Sequence, residues 1–122
     1  MLAFRPLDPA DPVQAQLALQ TGPVALADLF TLDPADEPAF LTVWAEDVAV
    51  MKTHPGFIST QLPHGIGNRP THFTDAVRES NAHFRTAFGS PEFQATFGAH
   101  PPSGIASRHL FAKVAVPGIC VA

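Results

Sequence analysis

Apolar and polar positions along the chain change period several times, and each change marks an element. Residues 24–32 (VALADLFTL) are apolar on nearly every position of both parities, which predicts a strand covered on both faces. Asp28 is its charged exception, on the parity of Leu26 and Phe30. Phe40, Trp44, Val48 and Met51 then recur at spacings of 4, 4 and 3, the stripe of one helix. Asp33 or Asp36 can cap that helix, with Glu37 in its first turn. Pro55 stops it by His54. Residues 56–62 form a second strand, PHGIGNRP a turn, and residues 72–77 a third strand, so the two strands make a hairpin. Ser80 caps a second helix carrying Phe84 and Phe88. Gly89 interrupts it, and Ser90-Pro91 restarts it as cap and first helical residue, with Phe93 and Phe97 continuing the stripe. Residues 105–116 supply the last strand.

The resulting order, βαββαβ, predicts an α+β, ferredoxin-like domain: a four-stranded antiparallel sheet with both helices on one face. The other face is left bare and partly apolar. Burying several hundred Å² of it at about 25 cal/mol per Å² is favourable by many kcal/mol, so a second copy should pack against it as a dimeric α+β barrel. Residues 1–22, broken by Pro6, Pro9 and Pro12, read as an N-terminal arm, loose or lying over a neighbour. Residues 23–118 are the domain and 119–122 a tail.

Composition narrows the partners. Among 122 residues, seven are basic and eleven acidic, for a net charge of −4. The basic residues are scattered, which argues against nucleic acid. No apolar run is long enough to span a membrane. The lone Cys120 cannot form an internal disulfide and fits a reducing, cytoplasmic setting. The six histidines match no zinc spacing. His64 and His72 flank the hairpin turn and can approach each other, but no metal site is assigned.

Residues 24–116 are similar to the antibiotic-biosynthesis-monooxygenase domain. The matching pieces are Leu29-Phe30-Thr31-Leu32-Asp33-Pro34, Phe40-Leu41 with Trp44, His54-Pro55-Gly56-Phe57-Ile58-Ser59-Thr60, Glu79-Ser80 with Phe84-Arg85, Ser90-Pro91-Glu92-Phe93, and His109-Leu110-Phe111. The resemblance implies a ferredoxin-like homodimer and, in some members, oxidation of aromatic polyketides without metal or flavin. Where those members carry Asn, Trp and Tyr, this chain has Thr74, Arg78 and Phe84. Where haem-degrading members carry Asn, Trp and His, it has Asp28, Ala87 and Phe97, which argues against haem degradation.

Chemistry is therefore sought in the polar residues set among apolar ones. Asp28 can be a base with a burial-raised pKa, or a paired structural carboxylate. His72 can be a general base, or a hydrogen-bonded core or edge histidine. Arg78 shares parity with Thr74 and can hold a substrate anion, or form a salt bridge to Asp28, Asp75 or Glu79. Phe30, Thr74, Phe84, Phe88 and Phe97 can line an aromatic pocket or simply form core. Trp44 reads as core. The expectation is a cofactor-independent monooxygenase acting on a small aromatic or quinone-like compound in a barrel pocket. The alternative is a non-catalytic small-molecule-binding dimeric barrel.

Overall fold

The computed structural model describes residues 2–122. Five strands, β1 (Ala3–Phe4), β2 (Val24–Thr31), β3 (Phe57–Gln61), β4 (Thr71–Arg78) and β5 (Ile105–Phe111), form one sheet in the order β1-β5-β2-β4-β3. Four helices accompany them: α1 (Val13–Leu17), α2 (Glu37–Thr53), α3 (Asn81–Phe88) and α4 (Pro91–Phe97). The class is α+β, as expected, but the sheet is five-stranded and mixed rather than four-stranded and antiparallel. The extra strand is β1, which pairs parallel to β5 with Ala3 opposite Ile105. It is held there because Leu2 is buried in the core beside Gly104, where a Cβ would stand 3.1 Å from that of Leu2.

The arm is not loose within the described chain. The side-chain amide of Gln16 in α1 reaches the backbone of Leu110: Oε1 accepts its N–H at 2.9 Å and Nε2 donates to its carbonyl at 2.9 Å. Asn81 Nδ2 donates to the carbonyls of Gln16 and Leu19, and Arg85 to that of Leu17. These bonds satisfy carbonyls at the end of α1 that a five-residue helix leaves free. The last strand ends at Phe111, short of residue 116, and residues 112–122 are exposed throughout.

The caps form where Ser precedes each short helix. Ser80 Oγ accepts from the His83 N–H, and Ser90 Oγ from the Phe93 N–H with Pro91 at the first turn. Neither Asp33 nor Asp36 caps α2 through its side chain. Instead the Asp33 N–H donates to Ser103 Oγ at 3.1 Å, and that hydroxyl donates to Asp36 at 2.6 Å. At its other end α2 stops at His54-Pro55-Gly56. Gly56 has φ of +87°, and a Cβ there would fall 2.4 Å from the His83 ring, so only glycine fits this turn.

Strand parity divides the sheet. Val24, Leu26, Asp28 and Phe30 are buried beneath the helices, while Leu29 and Thr31 on the opposite face are exposed. Phe84, Phe88, Phe93 and Phe97 stack in sequence, with centroids 5.4, 5.4 and 5.2 Å apart. Each well-buried ring contributes up to about 3 kcal/mol. Within one chain the helices cover one face of β2. The open face carries Leu29, Phe73 and Phe111, 40%, 38% and 45% exposed. No helix among the described residues is long and apolar enough to cross a membrane.

Candidate functional site

A hollow lies on the helix side of the sheet, within a single chain; the barrel interior expected from the sequence would lie on the opposite face and needs a second copy. Its empty space, open solvent at the mouth included, is ≈ 510 Å³. Only ≈ 50 Å³ admits the centre of a water molecule, so a ring-sized ligand must push side chains apart. Its wall is mostly apolar and aromatic: Phe30, Trp44, Phe57, Phe84, Phe88, Phe93 and Phe97 contribute, together with Met51 and Leu26.

Polar groups enter this wall at a few places. Asp28 at the centre of β2 lies opposite Thr74 on β4 and Arg108 on β5, so the three stand side by side on one face. Arg108 Nε donates to Asp28 Oδ2 at 3.1 Å. Its guanidinium sits among three rings, 4.5 Å from the Phe88 centroid, 5.1 Å from Phe97 and 5.5 Å from Phe4. Planar stacking of this kind suits Arg and is favourable when desolvated. Burial pushes the Asp28 carboxyl above its ordinary value, and the nearby Arg108 only partly offsets that. Trp44 Nε1 donates to Thr74 Oγ1 at 3.0 Å.

A second buried carboxylate comes from α2. Asp47 lies on the inner stripe of the helix and meets His100 Nε2 at 2.5 Å. His100 is itself wedged against Phe30, Phe40 and Phe97. Asp28 Oδ1 and Asp47 Oδ1 are buried with no hydrogen-bond partner among the described residues, and both residues line the hollow. Buried acceptors without donors are costly, so this is where a ligand hydroxyl has most to gain.

Of the residues singled out from the sequence, Asp28, Arg78, Phe30, Thr74, Phe84, Phe88 and Phe97 all contribute to this wall. Arg78, 1% exposed, is nevertheless committed elsewhere. Its Nη1 donates to the carbonyls of His54 and Pro55 at 3.1 and 3.0 Å, and Nη2 to that of Met51. It closes the C-terminal end of α2, where free carbonyls and the helix dipole favour a cation, and none of the salt bridges to Asp28, Asp75 or Glu79 forms. His72 stands outside the hollow: its Nε2 meets Glu37 Oε2 at 3.1 Å and its ring packs on Phe40. Burial lowers its pKa, with His64 pushing the same way and Glu37 opposing.

Sequence reasoning missed Arg108, Asp47 and His100, and read Trp44 only as core. Asp47 had a signal, since it falls three residues after Trp44 and four before Met51 on the same stripe. Arg108 had one only through strand register, and His100, 53 residues from Asp47, had none.

No protein-family model matches the sequence, and no curated protein sequence matches it. Solved structures do. The chain has the α+β fold of the antibiotic-biosynthesis-monooxygenase structures. It superposes on SnoaB from Streptomyces nogalater, described as a cofactor-independent oxygenase, with a TM-score of 0.70 and 23% identity, covering 80% of this chain and 99% of that one. A Caulobacter crescentus protein provisionally assigned as an antibiotic biosynthesis monooxygenase gives 0.66 at 17% identity over 77% of this chain and 92% of its own. A conserved Methanosarcina mazei protein gives 0.67 at 9% identity over 76% and 94%. At these identities the likeness is one of fold.

Proposed function

We propose that the chain is a cofactor-independent monooxygenase acting on a small aromatic or quinone-like compound that enters the hollow between sheet and helices. The observation that carries this reading is the pair of buried, unpartnered carboxylate oxygens, Asp28 Oδ1 and Asp47 Oδ1, in an otherwise aromatic wall. A substrate bearing an acidic C–H beside a phenol or quinone fits there as a flat ring with hydroxyls toward the carboxylates. Asp28, whose pKa is raised, takes a proton as general base. Arg108 faces the carbanion or enolate that remains and stabilises its charge in a water-poor site. That anion reduces O₂; one oxygen atom forms the new carbonyl from the ring CH₂, and the other leaves as water with both hydrogens. His100 orients Asp47 as a positioning partner. Arg78 and His72, candidates from the sequence, act here through the fold rather than on the substrate.

A homodimer belongs to the same reading. The exposed Leu29 and Phe73, paired across β2 and β4, and Phe111 on the same open face support it, because exposed apolar surface is costly in water.

The test is oxygen uptake with anthrones and hydroxynaphthoquinones. Turnover that falls in Asp28→Asn and Arg108→Met is the expected result. Saturable binding without oxygen uptake selects the alternative of a non-catalytic binding protein, a reading that the replaced family positions Thr74, Arg78 and Phe84 favour.

A further inference from the structure

Away from the hollow, the first turn of α2 meets the β3–β4 turn, and three metal-binding side chains converge there. Glu37 is the first residue of α2. His72 lies on β4, and His64 forms an antiparallel bridge to it across the turn. Glu37 Oε2 lies 3.0 Å from His64 Nε2 and 3.1 Å from His72 Nε2, and the three ligand atoms fall within 4.8 Å of one another.

Protons alone account for this arrangement only if both nitrogens of His64 carry one. His64 Nδ1 is 2.5 Å from the Gly65 carbonyl oxygen, which can only accept, so Nδ1 carries the hydrogen. In the neutral ring Nε2 then presents a bare lone pair to a carboxylate oxygen, and two acceptors at that distance repel. The same oxygen also faces His72 Nε2, while His72 Nδ1 is buried with no partner among the described residues. One oxygen and two imidazole nitrogens turned toward a common point suit a cation there, either a second proton on His64 or a metal ion.

We propose that Glu37, His64 and His72 form a binding site for a divalent transition-metal ion, best matched by Zn²⁺. Bonds of about 2.0–2.2 Å to N and O set tetrahedral ligand atoms roughly 3.3–3.5 Å apart. The separations of 3.0 and 3.1 Å reach this by a small expansion. Two imidazoles and one carboxylate suit a borderline ion and not Ca²⁺ or Mg²⁺, which take oxygen donors. The Nδ1–H of His64 on a backbone carbonyl is the outer contact that orients a metal-bound imidazole. His64 is 44% exposed on its side chain, so the fourth position opens to water and the ion has a way in. The site ties the start of α2 to the β3–β4 turn, so metal should stabilise that junction.

Zn²⁺ titration of tag-free protein against a chelating indicator, with Co²⁺ absorption as a second readout, tests this. One ion per chain is expected, with a visible Co²⁺ spectrum of four-coordinate type and a rise in Tm on loading. His64→Ala and Glu37→Gln alter partly exposed residues and should keep the fold by circular dichroism. Each should weaken Zn²⁺ binding at least about 100-fold, since even outer contacts to metal ligands are worth about 10–100-fold. His54→Ala and His109→Ala should leave it unchanged. No stoichiometric binding, or an affinity unaltered in either His64→Ala or Glu37→Gln, overturns the proposal.

Discussion

Arg78 ends β4 and Arg108 sits within β5, both on the helix side of the sheet and both at the wall of the same hollow. Arg78 gives its donors to three main-chain carbonyls at the end of α2. Arg108 gives one donor to Asp28 and lays its plane among Phe4, Phe88 and Phe97. They share residue type and both are largely withdrawn from water, Arg78 fully and Arg108 partly; the partners differ. A guanidinium that commits three of its five donors to backbone carbonyls is part of the scaffold, whereas one held by a single carboxylate bond and by ring faces keeps four for a ligand. Burial of a cation is therefore a poor guide to its role until its donors are counted.

The comparison is broken most directly by removing Arg78. Arg78→Ala leaves the His54 and Pro55 carbonyls without a donor, at about 1–3 kcal/mol each, while Met51 keeps the His54 N–H, and should lower folding stability by roughly 2–5 kcal/mol in denaturant titration. Arg108→Met should act the other way round. Most of its volume and apolar contacts are kept, so the loss of stability should be confined to the Asp28 carboxylate left without its donor, about 1–3 kcal/mol, while kcat/KM for the best aromatic substrate should drop about 100-fold, as for loss of one preorganised charge contact.

Asp28→Asn sharpens the reading through pH. Burial raises the folded-state pKa of Asp28 above its ordinary 3.8. Its contribution to stability is then full below that value and is lost as pH rises through the raised one. Asn does not titrate, so the stability of the wild type relative to Asp28→Asn should fall as pH climbs from about 4 and then level off. A difference that is flat, or that rises with pH, would show that Arg108 outweighs burial. In activity the same group should give a rate that increases with pH across its raised pKa.

The smallest effect is expected on the far side of the sheet. Leu29→Lys and Phe73→Lys alter exposed residues, so monomer stability should shift by no more than about 0.5 kcal/mol. Light scattering should nevertheless show dissociation of the dimer, with oxygen uptake reporting whether each chain works alone.

The order of elements was readable because proline, glycine and serine punctuate it. Ser80 and Ser90 cap where their spacing from the Phe stripe predicts, and Pro55-Gly56 ends α2. What local pattern does not carry is register and side-chain commitment. The common face of Asp28 and Thr74 followed from parity, but the adjacency of Arg108 depends on how β5 slides against β2. The donors of Arg78 go to carbonyls that any sequence possesses, so no residue type announces them. A two-residue strand such as β1 is below the length at which alternation can be recognised, and its place is fixed by the burial of Leu2. A hollow on the helix side was not legible for a related reason: β2 is apolar on both parities, and only the packing of α2, α3 and α4 decides which parity is roofed.

The amide of Gln16 takes both hydrogen bonds that Leu110 would otherwise offer to an incoming strand. Beyond the two pairs made by β1, that single side chain is a stopper on the outer rim of β5. The segment from Leu2 to Thr21 thus closes much of one outer edge of the sheet to the addition of a further strand, the exposure that invites edge-to-edge association.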